Sequence, residues 1–150
     1  MKSFHTCVAV CLVSLFAIAS IPSAFAAEIP SEREQDVMIR STLAAFNDAN
    51  MTNNYTVLMA KASRQLQSQA TPEQLQTAFA QFRDNLLFFE DIVTATRDSS
   101  EMATIDNEGV LVLAGTFKTD EMKVKYRLRF AQNAKVWKLL GINVNTTTKS

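Results

Sequence analysis

The apolar residues of this chain change their spacing part-way along it, from the period of a helix to the period of a strand. Over residues 31–50 they recur every three or four positions, which predicts an amphipathic helix, and Ser31 with Glu34 forms a capping box at its start. A second, shorter helix is predicted at residues 54–63. A third is predicted at residues 71–86, where a Thr-Pro-Glu-Gln sequence supplies the cap.

After the third helix, apolar and polar residues alternate, as they do in half-buried strands. Three strands are predicted at residues 110–118, 122–131 and 135–145, and two shorter ones at residues 91–96 and 102–105. The order of elements therefore predicts an α+β domain. In it, three N-terminal helices pack on a curved antiparallel sheet and form a cone-shaped roll.

The middle strand of the three separates two kinds of residue cleanly. Its inward positions are Met122, Val124, Tyr126, Leu128 and Phe130, and its outward positions are Lys123, Lys125, Arg127 and Arg129. The inner face must meet the helices. The outer face carries a row of four cations, which we call the cationic row.

Two-residue turns at residues 119–120 and 132–133 would fix the register of these strands. The pairs expected are Val124 between Gly115 and Gly141, Tyr126 between Leu113 and Leu139, and Leu128 between Leu111 and Trp137. Glycines on both sides of Val124 either let the sheet bend or leave a cavity beneath the helices. The first alternative is favoured.

The N-terminus has the pattern of a secretory signal peptide. Lys2 precedes an apolar run, Pro22 ends that run, and an Ala-Phe-Ala triplet at residues 24–26 supplies a cleavage site. The run is too short for a retained membrane span, which needs about 20 apolar residues. We therefore expect residues 1–26 to be removed, residues 27–150 to form one domain, and the protein to be periplasmic or secreted without a membrane anchor.

Cleavage after Ala26 would leave 124 of the 150 residues and would remove both cysteines and the single histidine. A mature chain without these residues has no disulfide, no thiol or histidine-based catalysis and no soft-ligand metal site. We expect no cofactor and no metal.

The charges are unevenly distributed. Residues 27–113 carry six Lys or Arg against thirteen Asp or Glu, and residues 114–150 carry eight against two. Aliphatic neighbours are expected on both sides of the cationic row, namely Val110, Val112 and Ala114 on one strand and Val136, Leu140 and Ile142 on the other. Either the Lys and Arg stems cover them, or this face is an interface, with Lys123, Lys125, Arg127, Arg129 and Lys138 as the candidate residues.

Three helices, the third opening with Thr-Pro-Glu, precede an antiparallel sheet. Its closing strand contains Trp137, Gly141 and Ile142. This arrangement resembles the nuclear transport factor 2-like superfamily, and within it the small exported bacterial members. The resemblance covers residues 31–144 and implies the α+β roll. It implies no single activity, because this fold hosts isomerases, dehydratases, immunity proteins and dimerisation modules.

Enzymes of that superfamily generally place an acid and often a tyrosine inside the cone. The candidates for a ligand site there are Tyr55, Asp91, Tyr126 and Trp137, and a Tyr126–Asp91 pair would resemble an oxyanion donor and base. The alternative is that Tyr126 is a core tyrosine whose hydroxyl bonds to the backbone, and that Glu90 and Asp91 are solvated. We favour the alternative and assign no catalytic residue.

Two functions remain open. The first is a non-catalytic exported binding or interaction module that dimerises through its sheet or binds an acidic protein. The second is a protein that holds an apolar small molecule in the cone, with or without turnover. Nucleic acid is not expected, because no aromatic residue interleaves with the cationic row and the mature chain is near neutral.

Overall fold

The computed structural model describes residues 27–98 and 101–148, so the leader predicted at residues 1–26 lies outside the described residues. The elements are α1 (Glu32–Thr52), α2 (Thr56–Ala60), α3 (Arg64–Gln69), α4 (Pro72–Ala78), α5 (Ala80–Asp84), a 3₁₀ helix (Glu90–Val93), β1 (Thr96–Asp98), β2 (Thr104–Ile105), β3 (Leu111–Lys118), β4 (Met122–Asn133) and β5 (Val136–Thr148). The protein is α+β with a five-stranded antiparallel sheet, as predicted. Within these ranges no helix has the length and apolar content that a membrane span requires.

Helix α1 confirms the first amphipathic pattern. Ser31 Oγ accepts a hydrogen bond from the Glu34 N–H, and the Glu34 carboxylate accepts from the Ser31 Oγ–H and N–H. These bonds lower the pKa of Glu34. The helix ends where Asn53 adopts the left-handed conformation, with φ at 55°. Leu43 and Phe46 on its apolar face are fully buried.

The helical region contains five α-helices in the described residues, not the three predicted. The third predicted helix is broken at Phe79 (φ −107°, ψ 14°), which ends α4 and begins α5. Phe79 packs edge-on against Phe46, at 4.9 Å between ring centroids. The short helix α3 was not predicted because none of its residues is buried, so it has no apolar period. Its start is capped by Ser63, whose Oγ accepts from the Leu66 N–H.

The strand predicted at residues 91–96 is wrong for most of its length. The segment forms the 3₁₀ helix Glu90–Val93, and β1 begins only at Thr96. Ile92 is fully buried there, and the Arg40 side chain binds the carbonyl oxygens that the turn leaves unpaired. This segment therefore buries Ile92 in the core from a turn of helix and not from a strand.

In the sheet, β3 pairs with β4, β4 with β5, and both short strands β1 and β2 pair with the free side of β3. The predicted register is wrong for both long hairpins. The β4–β5 turn is formed by Ala134 and Lys135, at φ 49° and 67°, so β4 runs two residues further than expected. The β3–β4 connection is also longer, since the Thr119 N–H bonds to the Met122 carbonyl oxygen.

A bulge in β5 changes the register once more. Phe130 pairs with Leu139 but Arg129 pairs with Gly141, which leaves Leu140 as the extra residue. Beyond the bulge, Ile142 therefore faces the core, contrary to its predicted place on the outer face.

One apolar cluster joins the helices to the inner face of the sheet. It includes the large fully buried residues Phe46, Phe82, Phe89, Ile92, Leu111, Leu113, Phe117, Tyr126 and Leu128. The alternation predicted for β4 is confirmed, because its even-numbered residues from Met122 to Phe130 are buried and the odd-numbered ones from Lys123 to Arg129 are exposed. The charged side chains of β4 are therefore exposed, and they lie on the outer face of the sheet.

Candidate interaction surface

Tyr126 lies in the middle of the inner face and is 1% exposed. It is directly opposite Gly115, where a Cβ atom would lie 2.7 Å from the tyrosine oxygen. The tyrosine ring thus occupies the space that the glycine leaves free. Val124 lies between Phe117 and Thr146, not between the two glycines, so the glycines do not open a cavity beside it.

The Tyr126 hydroxyl has no hydrogen-bond partner among the described residues, so the backbone bond expected for it is not formed. Burial raises the pKa of Tyr126, and the neighbouring Arg97 guanidinium lowers it in part. A general base needs a carboxylate or imidazole within reach of the group it serves. The Arg97 guanidinium and the close backbone of Gly115 lie beside this hydroxyl, and the Asp36 and Glu101 carboxylates raise the pKa of Tyr126. Asp36 is already paired with Arg40 and Arg97.

The structure places the other predicted cone residues in separate surroundings. Tyr55 is buried and donates to Asn50 Oδ1 at 2.5 Å, and burial raises its pKa to about 12. Asp91 lies in the 3₁₀ helix, where its Oδ2 accepts from the Asp120 N–H at 3.1 Å. Trp137 is half-buried near the β4–β5 turn, at the rim of a depression that it shares with α1 and α2. These four side chains do not converge on one ligand site.

An ion cluster that sequence reasoning missed joins α1 to β1. Asp36 accepts from Arg40 Nε at 2.7 Å and lies 3.4 Å from Arg97 Nε. The Arg40 guanidinium also lies 4.8 Å from the centre of the Phe117 ring. The i,i+4 spacing of Asp36 and Arg40 was visible in the sequence. No local pattern pointed to Arg97, which reaches the cluster from a three-residue strand. These contacts hold α1 against β1 and β3, so the cluster stabilises the fold.

The cationic row occupies the outer face of β4. Lys123, Lys125, Arg127 and Arg129 are all exposed. Within the described part of the chain, Lys123, Lys125 and Arg127 have no carboxylate within 4.0 Å. Lys123 also pairs directly with Lys118 of β3, another exposed cation. Like charges placed opposite each other destabilise a sheet, so this arrangement is a cost to the isolated fold.

Arg129, at the far end of the row, differs from the other three cations. Its guanidinium lies 3.8 Å from an Asp106 carboxylate oxygen and 3.9 Å from one of Glu108, both in the β2–β3 turn. Lys138 does not belong to the row. It is half-buried opposite Ala131 and lines the depression that also contains Trp137.

The neighbours of the row differ from those expected. Because of the bulge at Leu140, Arg127 pairs with Asn143 and Lys125 with Asn145, so the row has polar neighbours on β5. Val136 is 54% exposed but lies beside Trp137 at the other end of the hairpin.

The aliphatic residues that do lie on the outer face are mostly covered, although Ala114 is half-buried. Val110, Val112 and Leu140 are 5%, 8% and 8% exposed. The free apolar area that the sequence suggested for this face is therefore largely absent from it.

The outer face contains a depression of about 380 Å³ around the middle of the row. Its lining includes Lys125, Arg127, Asn143, Asn145 and Glu101. The depression thus combines two exposed cations with two carboxamides and a single acid at its rim. Such a surface can bind carboxylates through charge-assisted hydrogen bonds.

The described ranges contain no group of three or more His, Cys, Asp or Glu residues that could hold a metal ion. Comparison of the chain with protein-family models, with curated proteins and with solved structures found no match.

Proposed function

We propose that this protein is a non-catalytic binding module that recognises an acidic polypeptide with the outer face of its sheet. The observation that supports the proposal most is the set of three exposed cations, Lys123, Lys125 and Arg127, that stand unpaired among the described residues on one strand. A strand in the middle of a sheet holds its side chains at fixed spacing, so a partner meets a rigid charge pattern.

The spacing of these cations suits an extended acidic chain. Alternate residues of a strand lie about 6.8 Å apart, and the same distance separates alternate side chains of any extended peptide. A peptide with a carboxylate at every second position can therefore place one carboxylate against each cation from Lys123 to Arg129. It would also offset the repulsion between Lys118 and Lys123.

Dimerisation through the same face is the less favoured alternative. In a two-fold dimer, a surface meets a copy of itself, so two cationic rows would be brought together. The apolar neighbours that would drive such contact, Val110, Val112 and Leu140, are already buried within one chain. Light scattering at micromolar concentration decides between a monomer and a dimer.

A ligand or isomerase-like site between helices and sheet also loses its main support, because Tyr126 fills the space at Gly115.

We retain three further proposals from the sequence. These are removal of residues 1–26, a periplasmic or secreted location, and kinship with the nuclear transport factor 2-like proteins. An exported location fits a role in binding another exported polypeptide.

The proposal is tested with a fluorescent, end-blocked peptide of five Glu-Ser repeats, whose binding is followed by anisotropy. We expect wild type to bind it, and the Lys125→Glu/Arg127→Glu variant to bind at least tenfold more weakly, because attraction becomes repulsion. The control variant, Arg33→Glu/Lys61→Glu, has the same charge change at exposed sites away from the row. Equal loss in both variants would mean that net charge, and not the row, governs binding.

A further inference from the structure

The outer face has a second and larger depression, of about 720 Å³, at the Arg129 end of the cationic row. We call it the carboxamide pocket, and its lining includes Gln65, Gln69, Asn107, Arg129 and Gln132. Its volume falls in the range of sites that hold small molecules or short chain segments. The lining comes from the segment before α1, from α3, the β2–β3 turn, the end of β4 and the first half of β5, so no local sequence pattern predicted it.

Four side-chain carboxamides surround the pocket, from Gln65, Gln69, Asn107 and Gln132. In the portion of the chain that the structure describes, none of them is hydrogen-bonded through its side chain. Each carboxamide offers donors and an acceptor together, which is the pairing that a peptide group presents. The floor beneath them is apolar, because Val110 and Leu140 are nearly buried.

One wall of the pocket is charged. Arg129 stands there with its Nη2 3.8 Å from Asp106 and 3.9 Å from Glu108, and the arginine side chain is 44% exposed, so the other guanidinium nitrogens keep donors that face solvent. A carboxylate from a ligand can bind those donors. Arg129 lies two residues, or about 7 Å, beyond Arg127 on the same strand. A chain that follows the row therefore arrives at the pocket.

We infer that the carboxamide pocket binds the main chain of the acidic polypeptide and places one of its carboxylates on Arg129. The row would then supply attraction, and the pocket would supply the polar contacts that distinguish a peptide from any other polyanion. This inference rests on the proposed function for the acidity of the partner. Sugars and nucleobases fit less well, because no aromatic side chain lines the pocket to stack on their rings.

The test compares two pairs of glutamines in full-length protein, with the same Glu-Ser peptide as the probe. Gln65→Ala/Gln69→Ala removes two carboxamides from the pocket. Gln76→Ala/Gln81→Ala removes two helical glutamines that lie outside it. We expect the first pair to weaken binding about 30-fold, because each lost hydrogen bond is worth roughly a factor of five, and the second pair to bind as wild type does. The salt dependence should stay unchanged in both, because no charge is removed.

The outcomes separate the two proposals. A pocket variant that binds like wild type, while Lys125→Glu/Arg127→Glu loses binding, overturns the pocket and leaves the proposed function standing. A wild type that ignores the peptide overturns both. Binding of chitotetraose that Gln65→Ala/Gln69→Ala abolishes would assign the pocket to glycans and would also overturn the inference. Circular dichroism melts of each variant exclude a folding defect.

Discussion

Gly115 lies directly across the β3–β4 ladder from Tyr126, and a Cβ atom at that glycine would come within 2.7 Å of the tyrosine oxygen. The two residues therefore act as a pair, in which the absence of one side chain makes room for the other. The tyrosine hydroxyl has no hydrogen-bond partner in the described chain, and its ring packs in the apolar cluster that joins the helices to the sheet.

Gly115→Ala should destabilise the domain by about 1–3 kcal/mol, because the added methyl group forces Tyr126 or the backbone to shift. Gly141→Ala is the matched control, since its Cβ would meet nothing closer than 3.8 Å. Urea unfolding measures both. Tyr126→Phe should relieve part of the Gly115→Ala loss in a double-mutant cycle. Equal effects at the two glycines would mean that the Gly115–Tyr126 contact is misplaced.

Arg40→Lys should lower the free energy of unfolding by about 1–3 kcal/mol. Arg40 Nη1 binds three main-chain carbonyl oxygens in and just after the 3₁₀ helix, those of residues 92, 93 and 95, at 2.8–3.1 Å. A lysine keeps the charge but cannot hold these bonds together with the one to Asp36. Arg33→Lys, at an exposed site on the same helix, should change stability by less than about 0.5 kcal/mol.

Alkaline pH should destabilise the fold through Tyr55, whose pKa burial raises from 10.0 to about 12. Below pH 10 the tyrosine is protonated in the folded and unfolded chains, and its contribution to stability is fully present. Between pH 10 and 12 the unfolded chain loses the proton first. The free energy of unfolding then falls by about 1.4 kcal/mol per pH unit.

The measurement for Tyr55 is the slope of unfolding free energy against pH in wild type and in Tyr55→Phe. The variant should start lower, because it leaves the buried Asn50 Oδ1 without its donor. It should also decline less steeply above pH 10. Parallel slopes would show that Tyr55 does not cause the alkaline loss.

Short-range patterns in the sequence correctly predicted those features of the fold that depend on short-range interactions. The capping box at Ser31 fixed the start of α1, and the alternation along β4 predicted which residues are buried and which form the cationic row. The helix break at Phe79 was missed, because the apolar residues keep their helical spacing through it.

The register was missed for a different reason. The polar pair at residues 132–133 looks like a turn, but the chain turns at Ala134 and Lys135 instead. The bulge at Leu140 has no signature in the sequence, and it alone exchanges the faces of Ile142 and Asn143. The carboxamide pocket is built from segments that are far apart in the sequence and could not be predicted for that reason.

Export predicts a mature protein that begins at Ala27. Intact-mass measurement on protein recovered from the exporting host should show a chain without residues 1–26. A species that retains Met1 would contradict the leader proposal, and with it the expectation of a mature chain without cysteine or histidine.

Binding of an acidic polypeptide to the outer face of the sheet can be located residue by residue, by a chemical-shift titration of ¹⁵N-labelled protein with the end-blocked Glu-Ser peptide. We expect the amide signals of Lys123–Arg129, Asn143 and Asn145 to move together and saturate, while those of the exposed side of α1 stay in place. Increasing salt should reverse the shifts, because the contacts are ionic. Shifts centred on Trp137 and Val37, or on the buried residues around Tyr126, would contradict the proposal and would move the binding site away from the outer face of the sheet.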